Sequence, residues 1–477
     1  MVSAFVYLLI IGTCVYTVKT RTEWGLWVYV VLVMFPQFWY PAHALPLGGM
    51  TLTLLVVSVT VGTFRRPSLD TTPAAATPLL RLVLAYTFIC VWMTSFRYGL
   101  PMPFIGASPI LADWKNFAMM ISLYWVAYRA LRNEDHIKTM IVLFVAVLLL
   151  TSWHTFRTFS SSSSFSYDSR AVGSFYLVGM GANHFAAFIS NVAALALAMF
   201  SFDRHKVRRP LYLLTFFAAL YPLFFSYSRG AYMALIGAAA VVALLRYRFL
   251  IVLLIILGLT WQVVLPDSVV ERMQMTESPD GVIEESAAMR LVVWKLAEDL
   301  FFQNPILGIG FNGFFFATDG MPLRNAHNYY LQTAAEQGIV GILLLAAVYI
   351  RALMTGWRLF RSGRTDFMRG LGLALLSYTV SMGITNLFGD RYSQLEMGSY
   401  FWLLFGAAER GLVISRKLAD DEPATGRKNK TAAARSLVNG RRRRPALVPR
   451  IQSPASHAHT PSARPNPVLR LDALPPQ

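Results

Sequence analysis

Apolar runs of about 16–22 residues, separated by short polar connections, recur along most of the 477-residue chain. Wound as an α-helix, a run of that length crosses a ~30 Å hydrocarbon layer. The runs fall at 3–18, 24–42, 46–64, 79–96, 112–128, 138–153, 172–201, 211–227, 230–245, 249–265, 336–354, 369–388 and 394–412. They predict an all-α polytopic membrane protein with about 12–13 transmembrane helices. Around 24–46 the clustered aromatics with Pro36 and Pro41 also suit a broken or interfacial helix. The first run has no basic stretch before it and no small-x-small cleavage site, so it is expected to be a span and not a signal peptide. One long polar stretch, 266–335, breaks the pattern. Within it Met289, Val292, Val293, Leu296, Leu300 and Phe301 recur at helical spacing, with Arg290, Lys295, Glu298 and Asp299 between them. This predicts an amphipathic helix over 286–303, lying on the outer surface or across the mouth of a cavity. A break at Asn304-Pro305 and a turn with Gly308, Gly310 and Gly313 lead on to Arg324, His327 and Asn328.

Charge orients the spans. The connections 19–23, 65–81, 129–138, 203–209, 246–248 and 351–369 hold 19 Lys/Arg; the alternate short ones hold six, Arg97, Lys115, Arg157, Arg170, Arg229 and Arg391. The first set is therefore expected to be cytoplasmic and the 266–335 loop external, which is periplasmic in a Gram-negative cell. An odd number of spans puts the N-terminus outside. The net charge of +18 is concentrated at the end of the chain: residues 410–477 hold 14 Lys/Arg against four Asp/Glu, including the run 441–444. A segment so basic and rich in Pro, Ser and Ala cannot bury enough apolar surface to fold alone. We expect a disordered cytoplasmic tail that meets anionic lipid headgroups rather than nucleic acid. The two cysteines, Cys14 and Cys90, lie in apolar runs and exclude a disulfide framework and a Cys-based metal site.

Three external arginines, Arg170, Arg229 and Arg290, lie on segments that could converge at the outer leaflet. A diphosphate needs several charge-assisted, preferably bidentate donors, which the guanidinium fork supplies. The alternative is that each arginine marks a membrane boundary and snorkels to headgroups. Arg229 fits that alternative least, because the Ser-Arg-Gly turn between two spans is too short to need a charge for solubility. His327, beside Asn328 and about nine residues before a span, could take a proton from a sugar hydroxyl, or be a solvated or capping histidine. The serine-rich connection 160–164 with 165–170 reads as a flexible linker. The glycines at 308, 310 and 313 fit a phosphate loop poorly, since no strand precedes them and no Lys-Ser/Thr follows. No His-x-x-x-His, Cys-x-x-Cys, Asp-x-Asp, Walker or Gly-x-Ser-x-Gly motif occurs, so neither a metal nor another cofactor is expected.

The order of Arg170-x-x-Gly173 with Asn183, then Ser228-Arg229-Gly230, then Arg290 with Trp294 resembles the O-antigen ligase family. Asn-Pro-Ile-Leu-Gly-Ile-Gly-Phe-Asn-Gly-Phe, Ala-His-Asn-Tyr-Tyr-Leu-Gln and Glu336-Gln-Gly338 continue the resemblance. It covers roughly 168–410. The group includes lipopolysaccharide O-antigen ligases, polysaccharide polymerases and protein O-oligosaccharyltransferases. The resemblance implies a GT-C-like glycosyltransferase of the bacterial inner membrane, inverting and metal-independent, with its site facing the periplasm. The donor would be a glycan on undecaprenyl diphosphate; the acceptor would be a lipid A core sugar, a growing glycan or a protein. By motif, Arg229 and Arg290 would bind the diphosphate and His327 would be the catalytic base. Arg170, Asn183, Asn328 and Glu336 would give support, with no specific role carried over for Glu336 and no correspondence assigned for Asp390 or Arg391.

Three parts are expected: N-terminal transmembrane helices over 1–167, the ligase-like core over 168–412 with its external loop, and the basic tail over 413–477. A transporter or flippase for lipid-linked glycan would instead call for internal repeats and polar groups buried at mid-membrane. No clear repeat is present and the charges cluster at one face. A structural scaffold fits the external Arg/His group poorly. Among the enzymes the motif spacing favours a ligase over a polymerase or a protein glycosylating enzyme.

Overall fold

The computed structural model describes residues 2–420 apart from 41–43, 46–47, 68–71, 105–107, 161–163, 167, 174–179, 276–284 and 322. The basic tail expected from residue 413 therefore lies outside the described residues beyond Asp420, where the last helix ends. All regular structure among the described residues is helical. The helices are α1 (Val2–Lys19), α2 (Thr22–Leu32), α3 (Pro36–Trp39), α4 (Thr51–Arg65), α5 (Thr77–Tyr98), α6 (Pro109–Ala130), α7 (Glu134–Thr158), α8 (Ala182–Phe202) and α9 (Arg208–Phe225). The second half adds α10 (Arg229–Leu245), α11 (Phe249–Val264), α12 (Asp267–Gln274), α13 (Glu285–Gln303), α14 (Gly313–Ala317), α15 (Tyr329–Ser362), α16 (Asp366–Thr385) and α17 (Leu395–Asp420).

A helix occupies each of the thirteen predicted runs, and the chain is an all-α polytopic membrane protein. Among the described residues, α5, α7, α8, α15 and α16 are each long and apolar enough to cross a membrane alone, and α11 with α12 forms a further candidate bent by 104°. Several limits move for identifiable reasons. The 24–42 run is broken, since Pro36 cannot donate to the preceding turn and starts α3. Of the run expected from 172, residues 174–179 lie outside the described residues, and α8 begins at Ala182. The run expected from 336 is preceded within α15 by a short helical segment, 329–337, which Asn328 caps: its Oδ1 accepts from the amides of Tyr330 (3.1 Å) and Leu331 (3.2 Å), and a kink at the non-helical Gly338 (φ +61°) separates the segment from the run that follows.

α16 sits at the centre, packed against α8, α10 and α15, while α17 lies against α6. Small residues permit the close crossings: a Cβ at Gly372 of α16 would stand 2.7 Å from the Gly356 carbonyl of α15. At the periphery α11 buries no residue, and Leu259 and Val263 are 80% and 88% exposed. Such a helix suits hydrocarbon, not water. Its sharp bend into α12 returns the chain to the protein body and carries Arg272 with it.

α13 is the expected amphipathic helix, with its register sharpened. Val293, Ala297 and Leu300 pack against Ile309, Phe314, Ala326 and Ala335. Val292, predicted on the apolar face, is 55% exposed, because a 100° step per residue leaves it one position off the buried stripe.

Candidate active site

The Ser-Arg-Gly turn is built by a helix break. Pro222 and the left-handed Tyr227 (φ +54°) end α9, and Arg229 opens α10 at once. Arg170 grips this turn: its Nε and Nη2 donate to the Ser226 carbonyl (2.8 and 2.6 Å), and Nη2 also donates to Asn183 Oδ1 at 2.8 Å. The amide of Ala171 donates to the Phe225 carbonyl at 2.9 Å. Tyr227 Oη and Ser268 Oγ, 3.0 Å apart, tie α12 to the same turn. Of the serine-rich connection expected to be a flexible linker, 161–163 and 167 lie outside the described residues, while Phe165 is docked. The Phe165 amide donates to Glu271 at 2.9 Å, its ring packs edge-on against Tyr227, and the Arg272 guanidinium lies 4.8 Å from its centroid. One aromatic residue at the end of the serines was enough to dock it.

These elements enclose a cavity of about 330 Å³ lined by Arg170, Arg229, Arg272, Arg290 and Arg391, with Asn183, Ser228, Gly230 and Phe388. Five guanidiniums come from five segments, and no carboxylate of the described residues lines the cavity. Three of the arginines and Asn183 are sequence candidates. Arg272 and Arg391 join them from the structure. Arg272 was already one of four cations in the external loop, and Arg391 one of six in the external connections; each follows an acidic residue, Glu271 or Asp390, and so reads as compensated. In the fold Glu271 turns to Phe165, and Asp390 accepts from the Ser393 amide at 3.1 Å. Asn386, at the end of α16, holds the Arg391 amide at 2.8 Å and sets that side chain in place.

The concentration of like charge shows in the titration of its members. Burial first, then Arg272 and Arg290, lowers Arg170 to about 10; burial likewise lowers Arg391 to about 10, opposed by Asp390 and reinforced by Arg290. Both stay protonated at neutral pH and favour any anion that enters.

His327 stands beside this cavity without lining it, near enough to Arg290 and Arg391 to be affected by both. Burial, then these two cations, lowers it to about 4, so the imidazole is neutral and able to accept a proton at pH 7. Its backbone is left-handed (φ +49°), uncommon for a non-glycine residue. Three contacts hold it there. The His327 amide donates to Asn325 Oδ1 at 2.7 Å, Trp294 Nε1 donates to the buried Ala326 carbonyl at 2.8 Å, and Asn328 caps α15. Asn328 therefore acts through the helix start. His184, on the first turn of α8, is close enough to His327 and Arg391 to interact with both electrostatically; sequence reasoning did not single it out.

Glu336 is not with the arginines. It is 6% exposed, and its carboxylate accepts from the amides of Asn312 (3.2 Å) and Phe314 (3.4 Å) and from Gln332 Nε2 (3.1 Å). The glycine-rich turn lies against it: Ile309 and Gly310 donate to the carbonyls of Ala335 and Glu336, and Ile339 donates to Pro305. The glycines serve close backbone approach, since a Cβ at Gly308 (φ +71°) would stand 2.3 Å from the Glu336 carbonyl carbon. α5 closes the other side, where Thr94 donates to the Phe311 carbonyl at 2.8 Å.

A comparison with curated proteins finds no match. Residues 214–346 match the family model described as O-antigen ligase, a segment that runs from α9 into α15 and includes Arg229, Arg272, Arg290, His327 and Glu336. Over that segment this multi-pass membrane protein is similar to the O-antigen ligase family, a likeness that supports a membrane glycosyl-transfer function.

Proposed function

We propose that the chain transfers a glycan from undecaprenyl diphosphate to an acceptor hydroxyl at the periplasmic face of the inner membrane, as an O-antigen ligase, with inversion and without a metal. The observation that carries this reading is the arginine cavity: five guanidiniums and, among the described residues, no carboxylate, beside a neutral histidine. A diphosphate is the ligand such a cavity fits, because its oxygens accept bidentate donors from several directions.

The chemistry follows from charge. As the acceptor oxygen bonds to C1 of the donor sugar, the C1–O bond to the diphosphate breaks and its electron pair leaves with the phosphate. Arg229, Arg272, Arg290 and Arg391 stabilise that growing charge more than they stabilise the bound donor. His327 takes the acceptor's proton. Attack from the face opposite the diphosphate inverts the anomeric centre. Arg170, already bonded to Ser226 and Asn183, positions the turn that carries Arg229.

The test is transfer in liposomes from lipid-linked glycan to lipid A core, with a growing glycan and a Ser/Thr protein as alternative acceptors. Arg229→Ala, Arg290→Ala and His327→Ala should each lower the rate by on the order of 100-fold. Arg97→Ala, which loses a bond to Asn304 outside the cavity, is the control. Undiminished transfer in the cavity variants would remove the assignment. In cells, loss of the protein should leave full-length glycan on the carrier; single repeat units there would indicate a polymerase instead.

A further inference from the structure

A second polar cavity lies at the other end of the helices. α5 meets the glycine-rich turn near its C-terminus through Thr94, and the helix carries the chain about 26 Å from there back to Thr77. There a cavity of about 400 Å³ is lined by Arg81, Arg129 and Arg410 with Phe64, Trp125 and Tyr128, and again no carboxylate of the described residues lines it. Arg410 is 5% exposed, stacks 5.7 Å from the Tyr128 ring and donates to the Leu131 carbonyl at 3.2 Å. Arg129 lies 5.3 Å from the Phe64 ring.

One wall is held in place by an unusual number of side-chain bonds. Tyr128 donates to the Thr72 carbonyl at 2.9 Å, Trp125 donates to Thr77 at 3.0 Å, and the amides of Ala75 and Ala76 donate to Glu409 (2.6 Å) and Tyr124 (3.2 Å). Glu409 is occupied by that amide, Tyr124 and Arg351, so it does not neutralise the cavity. An adjoining groove of about 300 Å³ shares Phe64, Arg81, Trp125 and Arg129 and continues to Thr60, Ser122 and Val126, each about one turn deeper along α4 or α6. Arginines at a ring of aromatics, opening into a mainly apolar groove directed into the bilayer, match an amphiphile with an anionic head.

We infer that this cavity binds an anionic phospholipid, its phosphoryl head between Arg81, Arg129 and Arg410 and an acyl chain in the groove between α4 and α6. The Lys/Arg distribution places this end in the cytoplasmic leaflet, where anionic lipids supply that head group. The groove separates the lipid from free phosphate, which has no use for it.

The test uses the full-length protein in detergent with lipids brominated in the acyl chain. The signal is the quenching of Trp125, taken as the difference between wild type and Trp125→Phe, which isolates this cavity from the arginine site. Phosphatidylglycerol should quench where phosphatidylcholine does not, and Arg81→Gln/Arg129→Gln should raise the half-quenching concentration about tenfold or more. Both arginines are exposed, so an unchanged melting temperature is expected and confirms the fold. Equal quenching by the two lipids, or no shift in the double variant, overturns the proposal. Displacement of the lipid by an equal concentration of inorganic phosphate overturns the assignment to a lipid.

Discussion

Trp294→Phe tests how the reacting histidine is positioned. The indole does two things: its ring packs with Val293, Ala297 and Leu300 of the α13 cluster, and its Nε1 donates to the Ala326 carbonyl at 2.8 Å. Phenylalanine keeps most of the first and removes the second. Ala326 is fully buried, so its carbonyl is left without that donor, at a cost of about 1–3 kcal/mol. The next residue, His327, is held at φ +49°, which costs an L-residue about 1–2 kcal/mol and lasts only while its neighbours enforce it. If the whole of the lost bond falls on the loop, the productive conformation is depleted about 5- to 150-fold. Single-turnover transfer should slow by that factor, while KM for the lipid-linked donor changes little because the arginines are untouched. Hydrogen exchange over 324–328 should rise in parallel. Unchanged exchange would show that the indole does not secure the loop. Faster exchange with a wild-type rate would show that His327 need not be held, which defeats its role as base.

The remaining predictions concern charge and packing. Arg272→Gln and Arg391→Gln should each lower kcat/KM for the donor about 10- to 150-fold, the worth of one charge-assisted bond, with the larger part of the loss in kcat, and liposome transfer rates over a donor titration measure it. The acid limb of kcat/KM in wild type should lie near pH 4, the value for His327 in the free protein. Arg290→Gln removes a cation that disfavours imidazolium, so the limb should move up towards the ordinary histidine range; a limb that stays in place separates it from His327. Gly308→Ala forces a Cβ into the Glu336 backbone at a left-handed position and should destabilise the fold by more than about 1 kcal/mol, read as a lower melting temperature in detergent. Glu336→Gln keeps one acceptor but turns an amide NH₂ towards an amide donor, and should lower kcat with little change in donor KM.

The membrane architecture was legible because hydrocarbon thickness imposes one run length, and that regularity survives in any sequence. Arg170, Asn183, Arg229 and Arg290 could be grouped from motif order, and the fold does bring them to one cavity. Arg272 and Arg391 could not be chosen, because a neighbouring acid cancels an arginine on paper and nothing in the chain says which way each side chain turns. His184 was passed over because it lies inside the apolar run 172–201, where a histidine has no distinguishing pattern. Phe165 was absorbed into its serines for the same reason. For Glu336 and the glycines, the motif was visible but its purpose was not: only the backbone contacts show that it closes a knot instead of contacting the diphosphate.

That knot explains why residues remote from the cavity belong to one motif series. The arginines come from two sources of different rigidity. Arg170, Arg229 and Arg391 are fixed by α8, α10 and α16, which form the packed centre of the protein. Arg272, Arg290 and His327 belong to the long loop, whose own helices α12 and α13 bury little by themselves. A site that must hold charge on a departing diphosphate needs both sets in one frame, since a displacement of about 1 Å can cost on the order of 100-fold in rate. Ala335 and Glu336 supply that frame. They lie on α15, which packs against α16, and they receive the 305–314 turn that follows α13 directly. α13 in turn packs on α15 and carries both Arg290 and the indole that secures the His327 loop. The carboxylate of Glu336 is thus used up in hydrogen bonds that align the loop with the core, and proton transfer is left to the histidine the loop delivers.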